Sequence, residues 1–181
     1  MTREQALALL KNKLKNQNLF KHCLATEACL KQLAEHFKEN SHVWGLAGLL
    51  HDIDYEETNG DASRHGLVGA DFLEKMGLDS SIVRAIKVHS GHLAPETTLD
   101  WALFTTDPLT GLIVASALMH PDKKLASLDT EFVLRRFKEK RFAAGANREQ
   151  IAQCKNLDLE LNEFIEMCLK SMQTISQELG L

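Results

Sequence analysis

No two cysteines in this chain are spaced to grip zinc or to staple a local loop. Cys23, Cys29, Cys154 and Cys168 are scattered, with no C-x-x-C among them. They read as small apolar residues of a reducing cytoplasm. An excess of basic charge is also missing. Lys and Arg number 21 against 25 Asp and Glu, a formal net charge of −4. That balance argues against bulk binding to nucleic acid but leaves room for a small phosphorylated substrate. Long apolar runs are missing too. The longest, Leu109 to Met119, includes Thr110, Gly111 and Ser116, and it falls short of the roughly 20 residues that cross a bilayer. No membrane partner is expected, and the polar opening MTREQ has no resemblance to a secretory signal. Internal repeats, low-complexity tracts and convincing strand patterns are all lacking.

What is present is apolar periodicity at helical spacing, in a length that suits one domain with a helical extension. The chain is predicted to be all-α. Thr2-Arg3-Glu4-Gln5 has the capping-box form and opens a first helix with Leu7, Leu10 and Leu14. A second helix, from about Asn18 to Phe37, places Lys21, Lys31, Gln32 and Glu35 outward. His22 falls on its apolar side with Thr26, Cys29, Leu30 and Leu33. A third, capped by Ser41, is apolar nearly all round and belongs in the centre. It ends on His51-Asp52. After an acidic loop and the Asn59-Gly60 turn, Ser63 is predicted to start a fourth helix. That helix carries His65 in its first turn and Val68, Phe72, Leu73 and Met76 inward. Asp79 or Ser80 caps a fifth helix whose inner face holds Ile82, Ile86 and His89. A long helical pattern from Leu99 to Met119 is broken at Asp107-Pro108, where proline removes a donor and forces a kink or restart. Helices near Thr130 to Lys140 and Asn147 to Cys154, and an amphipathic one through Leu161, Ile165, Cys168, Met172, Ile175 and Leu179, complete the chain.

His22, His51, Asp52 and Asp107 lie on inward positions of separate helices around one buried helix end. Burying such groups costs several kcal/mol, roughly 2–7 kcal/mol for a neutral polar group alone, unless they are paired or bound to a cation. Imidazole and carboxylate together suit Mn, Fe, Co, Ni or Zn. A lone inward histidine is more often a hydrogen-bonded core residue, and Asp107 before Pro108 would by itself be an N-cap. It is the convergence of the set that points to metal. His65 and His89 are placed to hold a second ion on the far side of Asp52. His92 reads as a loop residue, His36 and His42 as surface, and His120 as a structural helix end. Asp54 and Glu56 are candidate proton carriers. Arg64, Lys87, Lys123 and Lys124 are candidate phosphate contacts, Arg64 and Lys87 foremost.

The ordered set His22, His51-Asp52, Asp107 resembles the HD-domain superfamily of metal-dependent phosphohydrolases. The segments RHGLVGADFL and IVRAIKVHSGH resemble the second-metal histidines of its HDIG-type branch, and TTDPLTGLIVASAL resembles the segment of the final aspartate. Two departures stand out. Ile53-Asp54 replaces Ile-Gly, and His89-Ser90-Gly91-His92 stands where adjacent histidines often occur. The resemblance implies an HD helical core over residues 1–125, with 126–181 as an extension packed on the same domain. It implies one or two divalent metal ions (Mn, Fe, Co, Ni, Zn or Mg) and hydrolysis of a phosphate ester, of a nucleotide or similar metabolite. Asp52 would ligate or bridge and orient the attacking water, and Asp54 would move a proton. Two alternatives share these ligands: a di-iron oxygenase on the same scaffold, and a metal or nucleotide-binding module without turnover.

Overall fold

The computed structural model describes residues 1–181 and consists of helices joined by loops. In chain order they are α1 (Arg3–Lys13), α2 (Gln17–Phe37), α3 (Ser41–Leu50), α4 (Tyr55–Thr58), α5 (Leu67–Lys75), α6 (Ser80–His89), α7 (Thr98–Met119), α8 (Thr130–Lys138), α9 (Arg148–Ile151), α10 (Leu161–Thr174) and α11 (Ser176–Leu179). Short 3₁₀ turns at Leu125–Ser127 and Ala152–Leu157 join the later helices.

The chain turns into α1 on the capping box that its sequence announces. The Thr2 hydroxyl accepts from the Gln5 amide at 3.3 Å, and the Gln5 side chain accepts from the Thr2 amide at 2.9 Å. For α3 the cap is Asn40 rather than Ser41, because the Asn40 side-chain oxygen accepts from two free amides, those of His42 and Val43. Every residue of α3 from Trp44 to Leu50 is buried. Gly48 permits this: a Cβ there would stand 2.9 Å from the α2 backbone at Thr26 and Glu27. That close approach of α2 and α3 sets His22 beside His51.

Helix α5 starts later than its periodicity suggests. Gly66, at φ 78°, precedes its first residue, and His65 sits in the turn ahead of the helix. Asp54 fixes the start by accepting the amides of both Gly66 and Gly69. Met76, expected inward, is exposed at 48%. The acidic stretch after His51 also contains a single helical turn, α4, which has no amphipathic period to reveal it.

Helix α7 runs unbroken through Pro108. Proline cannot donate to the Phe104 carbonyl, and the Gln150 side-chain amide of α9 donates there instead, at 2.6 Å. The expected break is therefore repaired from the C-terminal region. The same 22-residue helix is long and apolar enough to cross a membrane, with a mean hydropathy of 1.4 over its most apolar window. Of that window, 56% is buried inside the protein. One hydrophobic core runs from Ala6 to Leu179, so the residues beyond 125 share it with the rest.

Candidate metal centre

Four histidines meet at the inner ends of α2, α3 and α6 and the turn before α5. Each has one ring nitrogen tied down. His51 Nδ1 bonds the Gly48 carbonyl at 2.8 Å, His89 Nδ1 bonds the Ile86 carbonyl at 2.6 Å, and His65 Nδ1 bonds Asp54 Oδ1 at 2.8 Å. Carbonyls and carboxylates only accept, so each Nδ1 carries the proton. His22 Nδ1 meets the Thr110 hydroxyl at 3.0 Å. That hydroxyl already donates to the Asp107 carbonyl at 2.9 Å, so His22 Nδ1 is a donor as well. In the neutral ring each Nε2 is left as a bare lone pair, the form that binds metal.

The four lone pairs point at one another and at two carboxylates. His22 Nε2 and His51 Nε2 are 3.1 Å apart. Asp107 Oδ1 lies 3.0 Å from the first and 3.8 Å from the second, and Asp52 Oδ2 lies 3.6 Å and 3.4 Å from them. Ligand bonds of about 2.0–2.2 Å place neighbouring ligand atoms about 2.8–3.6 Å apart around one cation, and wider where the angle opens. The observed separations fit a shared ion. The other oxygen of Asp52, Oδ1, lies 3.3 Å from His65 Nε2 and 3.5 Å from His89 Nε2, which are 3.2 Å from each other. His51, Asp52 and His89 also bring ligand atoms within 4.8 Å of one another, so the two halves are contiguous. These residues form His/Asp clusters that could hold a metal.

Lone pairs facing each other and facing carboxylates repel unless positive charge lies among them. Protons can take that role. Burial lowers the affinity of His51 for a proton, but the Asp52 and Asp107 carboxylates outweigh it and raise the pKa to about 9. Burial opposes protonation of His65 also, and Asp52 and Asp54 raise it to about 10. Burial pushes the carboxyls of Asp52 and Asp107 up, yet the imidazoles beside them hold both below the usual carboxylate range. The same chemistry that attracts protons here would attract a divalent cation.

Access is one-sided. The side chains of His51 and His89 are 0% and 2% exposed, whereas those of His22 and Asp107 are 23% and 28% exposed. Other sequence candidates lie elsewhere. Asp54 is buried behind His65, with its oxygens taken by His65 Nδ1 and the two glycine amides. It has no free oxygen facing the cluster, so it positions His65 and is not placed to carry a proton. Glu56 accepts from the Lys15 and Asn16 amides and ties α4 to the start of α2. Lys87 pairs with Asp71 at 3.2 Å, on the outer side of α5 and α6. Arg64, Lys123 and Lys124 are exposed. His92 Nε2 donates to the His65 carbonyl at 2.9 Å and so steadies the turn that bears His65. His42 bonds the Met1 carbonyl, and His120 lies by Asp122 and Phe132.

Sequence reading did not single out three contributors. Thr110, one turn after Asp107, was legible in principle, as a hydroxyl three residues from a candidate ligand. Gln150 carried no local signal. Neither did Arg148, whose guanidinium donates to the carbonyls of Phe137, Ala143 and Ala146 and moulds the loop beside Asp107.

Comparison with known proteins agrees with this geometry. A family model described as HD domain matches residues 19–110. An uncharacterized protein of Methanocaldococcus jannaschii is 30% identical over 172 residues, covering 90% of this chain and 98% of that protein. A protein named Ribonuclease Y from Chloroflexus aurantiacus is 26% identical over 136 residues, 74% of this chain but 27% of its own length. Another of that name, from Nitratidesulfovibrio vulgaris (strain DP4), is 30% identical over 96 residues, 53% of this chain and 18% of its own. The chain thus spans well under half of those two Ribonuclease Y proteins. No solved structure matches it.

Proposed function

The chain belongs to the HD-domain family, and from that premise we propose that it is a metal-dependent hydrolase of a phosphate ester, a nucleotide or similar small metabolite. One observation carries the reading: Asp52 turns one oxygen to His22 and His51, which Asp107 also faces, and the other to His65 and His89. The first set would hold one divalent ion and the second set another, drawn from Mn, Fe, Co, Ni, Zn or Mg. A cation so held supplies Lewis acidity to phosphoryl oxygens and acidifies water at neutral pH.

The chain's own part is preorganisation. Four Nδ1 hydrogen bonds lock the rings, so no side chain has to be frozen when substrate arrives. Asp52 sets the spacing of the two halves and adds negative charge at their centre. His51 and His89 close the site to water from below, and the exposed edge at His22 and Asp107 admits the ester. The acidic net charge supports a small substrate over a nucleic acid. The relatives named Ribonuclease Y raise an RNA phosphodiester as the second reading, over a much shorter match. Four free buried thiols support a reducing, cytoplasmic setting.

Elemental analysis should find a divalent metal, and phosphate release should appear in a screen of mono- and diesters with that metal supplied. Asp52→Asn keeps the shape and removes the bridging charge. It should leave helical circular dichroism intact and lower phosphate release by about 10³-fold or more, a loss of several kcal/mol of transition-state stabilisation. Cleavage of RNA alone would move the protein to the nuclease reading. Iron with oxygen uptake and no phosphate release would give it to the oxygenase class. Metal uptake with no turnover of any ester would leave a binding module. Undiminished release by the Asn variant would remove Asp52 from the chemistry.

A further inference from the structure

Beyond the metal cluster, His22 faces two cavities. One, of ≈360 Å³, is bounded by His22, Asp107, Gly111 and the loop Ala143 to Ala146. The other, of ≈440 Å³, is bounded by His22, Lys21 and Gly111 with the apolar Val114, Leu118 and Leu179. Both volumes fall within the range of about 300–1,000 Å³ typical of small-molecule sites. His22 and Gly111 belong to both, so the cavities adjoin where the cluster is most exposed.

Three features set this groove apart from ordinary surface. Gly111 lies in the interior of α7, where glycine weakens a helix relative to alanine. No atom stands within 4 Å of its missing Cβ, so packing does not require it there. What its absence of side chain does is keep the junction of the two cavities clear. Second, Ala143 on the wall is left-handed, at φ 43°, a conformation that disfavours a residue with a Cβ. It is held so by Arg148, which donates to its carbonyl at 2.6 Å. Third, Lys21 is the one Lys or Arg on either set of walls, and it makes no ion pair within 4.0 Å. Its ammonium lies beside Gly180, where a Cβ would come within 2.9 Å of it.

We propose that this groove seats the leaving group, and that the substrate is a phosphomonoester whose alcohol portion is uncharged and largely apolar. The proposal rests on the phosphohydrolase reading and narrows it. Lys21 is the one ammonium on these walls, too little positive charge to hold the further phosphates of a polyphosphate or a bisphosphate there, and Asp107 on the wall would repel them. Val114, Leu118 and Leu179 supply apolar surface that gains from covering. Gly111 is thereby a specificity-determining residue, because any side chain there projects into the path of the leaving group.

The test uses binding, with non-hydrolysable methyl-, butyl- and hexylphosphonate titrated calorimetrically into the full chain loaded with Mn²⁺. Affinity should rise with chain length, by about two- to fourfold per methylene buried. In Gly111→Leu, and independently in Leu118→Glu on the exposed wall, the ratio of hexyl to methyl affinity should collapse toward one. Two variants guard against misfolding of either, and circular dichroism reports on both. No length dependence in the unaltered protein, or the same dependence in both variants, overturns the groove while leaving the phosphoryl site standing. Equal length dependence in metal-free protein marks adsorption and also overturns it. No binding of any phosphonate removes the phosphoryl reading itself and the groove with it.

Discussion

The two sides of His22 are built on opposite plans. Toward the interior, each polar atom has an assigned partner: Nδ1 on a carbonyl, hydroxyl or carboxylate, and Nε2 on the shared centre. Toward the surface, the walls are mostly alanine, glycine, valine and leucine with Lys21 among them, and Arg148 holds the Ala143 to Ala146 loop by its backbone. The interior side lies within residues 19–110, where the family match falls. Much of the outer side comes from residues beyond 140. On the proposed reading the contrast separates two tasks. Chemistry needs groups fixed in angle and charge, and hydrogen bonds fix them. Choice among substrates needs a shape, which small residues and a moulded loop can provide with few charged groups.

The largest effect short of Asp52 should come from Asp54, which meets the cluster only through His65. Asp54→Asn places an amide against a donor. It should cost about 10–100-fold in affinity for the second of two Mn²⁺ equivalents while the first is retained. Calorimetric stoichiometry reads both, and equal loss at both equivalents would mean that the two halves do not act separately.

Gln150 tests whether the outer region is only a wall. Gln150→Leu leaves the Phe104 carbonyl without a partner, which costs about 1–3 kcal/mol. At about 2–4 °C per kcal/mol for a chain of this size, the melting temperature should fall by several degrees. A weaker first Mn²⁺ equivalent in the same variant would show that the repair of α7 at Pro108 also aims Asp107.

The interior plan implies a pH signature in metal-free protein. His51 and His65 have folded pKa values raised to about 9 and about 10, from about 6.5 when unfolded. Their stabilisation is complete below about pH 6.5 and disappears as pH rises through 9 and 10. Asp52, Asp54 and Asp107 are lowered, so their contribution is present above about pH 4 and disappears in acid. Thermal melts in chelator should therefore peak between about pH 4 and 6.5 and decline toward pH 10. Added Mn²⁺ should flatten the alkaline decline by replacing the protons. A level alkaline limb in chelator would show that the imidazoles are neutral in the folded cluster.

The smallest effect belongs to the groove. Gly111→Ala meets no neighbour, so helix propensity should raise stability by about 0.5–1 kcal/mol, or about 1–4 °C in melting temperature. A fall would reveal packing on Gly111 and weaken its reading as an open floor.

Legibility followed the same division. His22, His51 and His89 could be read because helical period alone assigns a face. His65 could be read by type but not by element, since Gly66 and the grip of Asp54 delay α5 by several residues. Asp54 looked like a free acid because a sequence shows a carboxylate without the amides that consume it. Lys87 looked like a phosphate contact for a similar reason: a charge is visible, its pairing with Asp71 is not. The proline at 108 announced a break that a glutamine 42 residues later prevents.

By itself the sequence determined the all-helical class, the buried α3 ending on His51-Asp52, and the identity of the imidazoles and carboxylates gathered there. Those follow from period and from the cost of burying polar groups, which act over a few neighbouring residues. Only the tertiary structure decided which oxygen of Asp52 meets which histidine, which carboxylate stands behind His65, and that the C-terminal helices wall the approach to His22. Those depend on contacts between residues far apart in the chain, such as Gln150 with Phe104 and Thr110 with His22, and no local pattern encodes where a side chain finds its distant partner.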